Sequence, residues 1–102
     1  MKEYDIFVPL FYNDGSPVEP KKFQWLQQRL LDRFDGLSFF PQPIKGYWKM
    51  GEVTYHDEIV IYRGVTKKVR STRRFLILLK EDMKKAFAQE EIFIVERDVQ
   101  VL

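Results

Sequence analysis

Apolar residues in this chain recur at every second position, then at helical spacing, and the two rhythms follow one another in a defined order. Tyr4, Ile6, Val8, Leu10 and Tyr12 alternate with Asp5, Phe7, Pro9 and Phe11, a strand pattern with apolar residues on both faces. The turn residues Asn13-Asp14-Gly15-Ser16-Pro17 close it. Proline between Pro17 and Pro20 then suits a helix start, and Phe23, Leu26, Leu30, Leu31 and Phe34 recur at helical spacing. Gly36 after Asp35 predicts a left-handed cap at that helix's end.

Leu37 to Phe40 resume an extended run, interrupted by Pro41-Gln42-Pro43. Ile44 to Lys49 and Val53 to Val65 read as a hairpin turning at Met50-Gly51-Glu52. On its second arm Tyr55, Ile59, Ile61 and Val65 share one face, and His56, Glu58, Val60 and Tyr62 the other. Ser71 or Thr72 is the expected N-cap of a second helix, with Leu76, Leu79, Met83, Ala86 and Phe87 as its buried stripe. Ile92 to Leu102 reads as the last strand.

The resulting β-α-β-β-α-β order over residues 1–102 predicts a single α+β domain. Its expected form is a ferredoxin-like sandwich, an antiparallel sheet with two helices on one face. That architecture hosts many unrelated functions, so chemistry has to be argued from side chains. The chain lacks cysteine, which excludes disulfides, thiolate metal sites and cysteine nucleophiles. No apolar run is long enough to span a membrane, and the first residues pass directly into a strand pattern without a signal-peptide core. A cytoplasmic protein is the expectation.

Short motifs carry a resemblance. Arg33-Phe34-Asp35-Gly36-Leu37-Ser38, Gly46-Tyr47-Trp48, Glu58 leading an aliphatic strand, and Phe87-Ala88-Gln89-Glu90 together resemble a small bacterial family, a domain of unknown function. Ser38 stands where that pattern has threonine, and the prolines Pro41 and Pro43 depart from it. The resemblance implies an intact single domain and carries over no activity.

Three candidate sites follow. Lys67, Lys68, Arg70, Ser71, Thr72, Arg73 and Arg74 place cations and hydroxyls where the second helix begins. Arg73 and Arg74 oppose the helix dipole there, a conflict that a bound anion or nucleic-acid backbone would relieve. His56, the sole histidine, could act as a general base oriented by Glu58. By analogy with dimeric α+β barrels, Phe11, Tyr47, Trp48 and Tyr62 could join them around a cavity between two subunits.

The third candidate is apolar. Nine Phe, five Tyr and two Trp exceed what one sheet face covers. Ile77 and Leu78 lie off the second helix's stripe, and Phe7, Phe11 and Tyr62 could stand on the open sheet face. Glu58-Ile59-Val60-Ile61-Tyr62-Arg63-Gly64 lacks the glycine-flanked aromatic signature of an RNA-recognition strand. Walker, dinucleotide, Gly-x-Ser-x-Gly and EF-hand patterns are absent too. The leading expectation is therefore a self-associating, non-enzymatic homodimer without metal or cofactor. Anion or nucleic-acid binding, and catalysis in a dimer cavity, stand as alternatives.

Overall fold

A computed structural model describes all 102 residues. The elements are β1 (Lys2–Pro9), α1 (Pro20–Leu31), β2 (Gly36–Met50), β3 (Val53–Thr66), α2 (Val69–Ala86) and β4 (Ile94–Asp98). They form one antiparallel four-stranded sheet in the order β2-β3-β1-β4, with two helices. No helix is long and apolar enough to cross a membrane.

Strand parity sets the layers. Register pairs Ile6 with Tyr62 and Val8 with Val60, so the even residues of β1 and β3 share one face. Both helices cover that face: Leu26 and Leu30 of α1 and Leu76, Leu79 and Met83 of α2 complete a core with Tyr4, Ile6, Val8, Val60 and Tyr62. Burying each of these side chains contributes roughly 1.5–3 kcal/mol. Phe34 extends the core over Gly64, where an added Cβ would meet the Phe34 ring at 2.4–2.7 Å.

Several local features differ from the sequence expectation. Gly36 does not cap α1 in a left-handed conformation; the helix ends at Leu31 and Gly36 opens β2 opposite Val65. Leu31 consequently lies off the buried stripe and is exposed. Ser71 and Thr72 do not cap α2. The helix starts at Val69 because the Thr66 hydroxyl accepts the Lys68 N–H at 3.0 Å and turns the chain at the strand's end. The last strand occupies only Ile94–Asp98 of the expected run. Pro41-Gln42-Pro43 does not break β2 but sits within it as a register shift between Phe40 and Ile44. An edge strand tolerates this because proline's missing N–H leaves no inner ladder bond unmade.

The β2–β3 hairpin outgrows the sheet. β1 ends opposite Ile59, yet β3 starts at Val53 and β2 runs on to Met50. Six residues per strand thus project beyond the Ile44–Ile59 pair as an arm of ~20 Å at the ordinary strand rise.

Candidate interaction surface

The sheet face opposite the helices is covered by no helix, and its own hairpin covers it only in part. Odd residues of β1 and β3 point there, and register adds Phe40 (opposite Ile61), Ile44 (opposite Ile59) and Val95 (opposite Asp5). Phe7 and Phe93 meet edge to face with centroids 5.4 Å apart. Phe40, Ile44 and Phe93 each remain two-fifths or more exposed.

One end of the face is ionic and internally balanced. Asp5 is buried and accepts from Arg63 Nε at 2.7 Å and Nη2 at 3.0 Å, and from Arg97 Nη2. Glu3 accepts from Arg97 Nε at 3.3 Å. Burial pushes the Asp5 carboxyl up, but the hydrogen bonds from Arg63 and Arg97 outweigh it and hold the group below the usual carboxylate range. Two acids against two guanidiniums leave this end neutral. Arg63 also lies over the Phe40 ring, 5.0 Å from its centroid, joining the ionic end to the apolar one.

The hairpin arm continues the apolar face. Met50 pairs with Val53, Trp48 with Tyr55 and Gly46 with Asp57, so Ile44, Trp48, Met50, Val53, Tyr55 and Ile59 share one side of the arm with a single charge, Asp57. Lys45, Tyr47, Lys49, Thr54, His56 and Glu58 share the other. The arm is therefore amphipathic. It curls back over the sheet, because the Trp48 ring lies 5.0 Å from Phe93, on the far side of β1. Gly46 permits this: an added Cβ would sit 3.1 Å from the indole Nε1. The Gly46-Tyr47-Trp48 motif is thus a backbone laid against its own indole.

The basic segment is divided. Arg73 makes a two-pronged pair with Glu96 at 2.7 and 2.8 Å, and the same carboxylate accepts the Tyr4 hydroxyl at 2.6 Å. Those bonds, Arg73's first, hold Glu96 down to about 2. Burial, and then Glu96, push Tyr4 up to about 12. Thr72 is fully buried, and its hydroxyl accepts from Arg33 Nε at 3.2 Å while that of Ser71 accepts from Arg33 Nη2. Lys67, Lys68, Arg70 and Arg74 stay exposed, and Lys68, Arg70, Ser71 and Arg74 line a shallow cleft with Val69. Arg63, though close in sequence, belongs to the ionic cluster on the sheet.

The six residues expected around a cavity do not converge in one chain. Tyr62 is buried among the helices, stacked on Phe39 at 4.5 Å, so it does not stand on the open face with Phe7. Phe11 lies beyond β1 in an isolated bridge to Pro17. Tyr47, His56 and Glu58 share the polar side of the arm, with His56 edge-on to Tyr47 at 4.9 Å, and Trp48 faces the opposite way. Of the six, only Tyr62 borders the cleft of ~540 Å³ between α1 and β2, whose walls include Phe23, Gln24, Gln27 and Leu31.

Sequence reading missed the Glu3–Asp5–Arg63–Arg97 cluster and the aromatic pairing of Phe93. The available signal was Asp5, an acid set amid strand apolars. Comparison with protein-family models and with characterised proteins finds no match to this chain.

Proposed function

We propose that the chain is a self-associating interaction module of ferredoxin-like topology, in which two copies meet through their open sheet faces. The β2-β3-β1-β4 order, with helices on one side, supports the topology. The observation that carries the association is the continuous apolar face from Ile61 and Phe40 to Met50 and Val53. Such a contact is isologous, so each copy must tolerate its own charges. The ionic end is neutral and meets that condition. The basic corner of Lys67, Lys68, Arg70 and Arg74 would repel its own copy and is unsuited to the same role. Sedimentation equilibrium at high micromolar concentration should give twice the 12.3 kDa chain mass. Phe40→Glu with Phe93→Glu should return the mass to one chain. A wild-type monomer at that concentration would refute the reading.

A second reading, oxyanion binding at the basic corner, draws on one observation. Arg33 is fixed by two hydroxyls beside Lys68, Arg70 and Arg74, and none of these cations meets a carboxylate. A fluorescently labelled single-stranded oligonucleotide should bind the wild type in a strongly salt-dependent manner. Arg70→Glu with Arg74→Glu should abolish that binding, and unchanged binding would discard the site.

A further inference from the structure

We infer that the hairpin arm, residues 44–59, is a clasp that seats on the open sheet face of a second copy of this chain. The inference rests on the self-association proposed above and identifies the element that makes it stable.

A compact monomer of 12.3 kDa exposes about 6,100 Å². This chain exposes 7040 Å². The excess of about 900 Å² is close to the ~800 Å² that each partner buries in a standard interface. Its radius of gyration, 13.9 Å, likewise exceeds the ~12.8 Å expected for this length. The arm is where the chain leaves the compact body, since β1 ends opposite Ile59 and no strand flanks the hairpin beyond that point.

Area alone does not choose a partner; the arm's chemistry does. Trp48 finds cover in its own chain, against Phe93. Past it, Met50 is 64% exposed, Val53 53% and Tyr55 51%, all on the side that continues the open face. An isolated two-stranded hairpin is marginally stable in water, so a bare apolar side needs a surface to lie on. The matching surface is the open sheet face, where Phe40, Ile44 and Phe93 remain two-fifths or more exposed and the Glu3–Asp5–Arg63–Arg97 cluster is charge-balanced. In a two-fold arrangement each arm covers the other copy's sheet, and both apolar surfaces are buried by one symmetric contact. The sheet without its arm, about 26 Å by 19 Å from strand rise and spacing, provides roughly 500 Å² and falls short of a standard interface.

The test uses Val53→Glu with Tyr55→Glu, two exposed side chains that the core does not use, followed by sedimentation equilibrium. With far-UV circular dichroism unchanged, the dissociation constant should rise at least 100-fold over wild type. Benzophenone placed at position 53 should give a chain-to-chain crosslink that maps to β1 or β4 of the other copy. If the wild type dimerises and the arm variant dimerises equally well, the clasp is overturned and the sheet-face reading survives, to be judged by its own Phe40 and Phe93 variants. A crosslink confined within one chain overturns the clasp as well. A wild-type monomer overturns both.

Discussion

Replacing Gly64 by alanine should destabilise this protein, against the usual trend for strands. Glycine inside a strand normally costs about 0.5–1 kcal/mol relative to alanine, so Gly→Ala ordinarily stabilises. Here the new Cβ would lie 2.4, 2.5 and 2.7 Å from Cγ, Cδ1 and Cδ2 of Phe34. Carbon pairs are comfortable at ~3.5–4.0 Å, so the ring must retreat by about 1 Å or more. It has little room, being 7% exposed and packed on Tyr4 with ring centroids 5.9 Å apart. Overpacking of this kind costs about 1–3 kcal/mol, and a contact this short belongs at the upper end. For a domain of this size, ~3 kcal/mol lowers the melting temperature by roughly 12–24 °C. Urea denaturation followed by circular dichroism measures the change directly. Phe34→Ala alone should cost about 3–5 kcal/mol. The double variant should then be better than additive by at least ~1 kcal/mol, because the methyl group enters the space the ring vacates. Additive behaviour, or a Gly64→Ala change within ~0.5 kcal/mol of wild type, would refute the packing argument.

Gly46→Val should push the Trp48 indole away from Phe93. In a Trp25→Phe background the fluorescence should move to longer wavelength, and unchanged emission would mean that the arm does not curl. The Tyr4–Glu96–Arg73 group predicts instability at both ends of the pH scale. Glu96, held down to about 2, contributes fully above its ordinary value of 4.5 and loses that contribution as the pH falls towards 2. Tyr4, raised from 10.0 to about 12, contributes below pH 10 and loses its contribution as the pH rises through 12. Glu96→Gln should flatten the acid limb of a melting-temperature profile in part, since Asp5 also titrates low, and Tyr4→Phe should flatten the alkaline limb.

The elements were legible in the sequence because each is written in local spacing. Alternation at Tyr4, Ile6 and Val8 and the helical stripe of Leu76, Leu79 and Met83 need no knowledge of partners. The surface was less legible because it depends on register. Phe7 and Tyr62 look like companions until pairing sets Phe7 opposite Ile61 and sends Tyr62 to the other side. Arg73 reads as a free cation until β4 brings Glu96 beside it, 23 residues away in sequence. The proline triplet reads as a break. Between the pairs Phe40–Ile61 and Ile44–Ile59, however, β2 carries two residues more than β3. An even insertion preserves facing, so the apolar side of β2 passes through the irregularity intact.

A sheet can associate along its edges or through its face, and here the edges are defended. The outer edge of β2 carries Pro41 and Pro43, which lack the N–H groups an added strand would need. The opposite edge, β4, has five residues, two of them the acids Glu96 and Asp98, which bind Arg73 and Lys2. Strand addition at either side is therefore short or interrupted. The face has less defence: Glu3, Asp5, Arg63 and Arg97 neutralise one another within it, Asp57 on the arm is its one unpaired charge, and Phe40, Ile44, Phe93, Met50, Val53 and Tyr55 lie bare. On the self-association proposed above, blocked edges and an open apolar face favour a closed pair over strand addition. A two-fold contact through the face would bury that side once, and would leave the exposed Ile77 and Leu78 of α2 outside it.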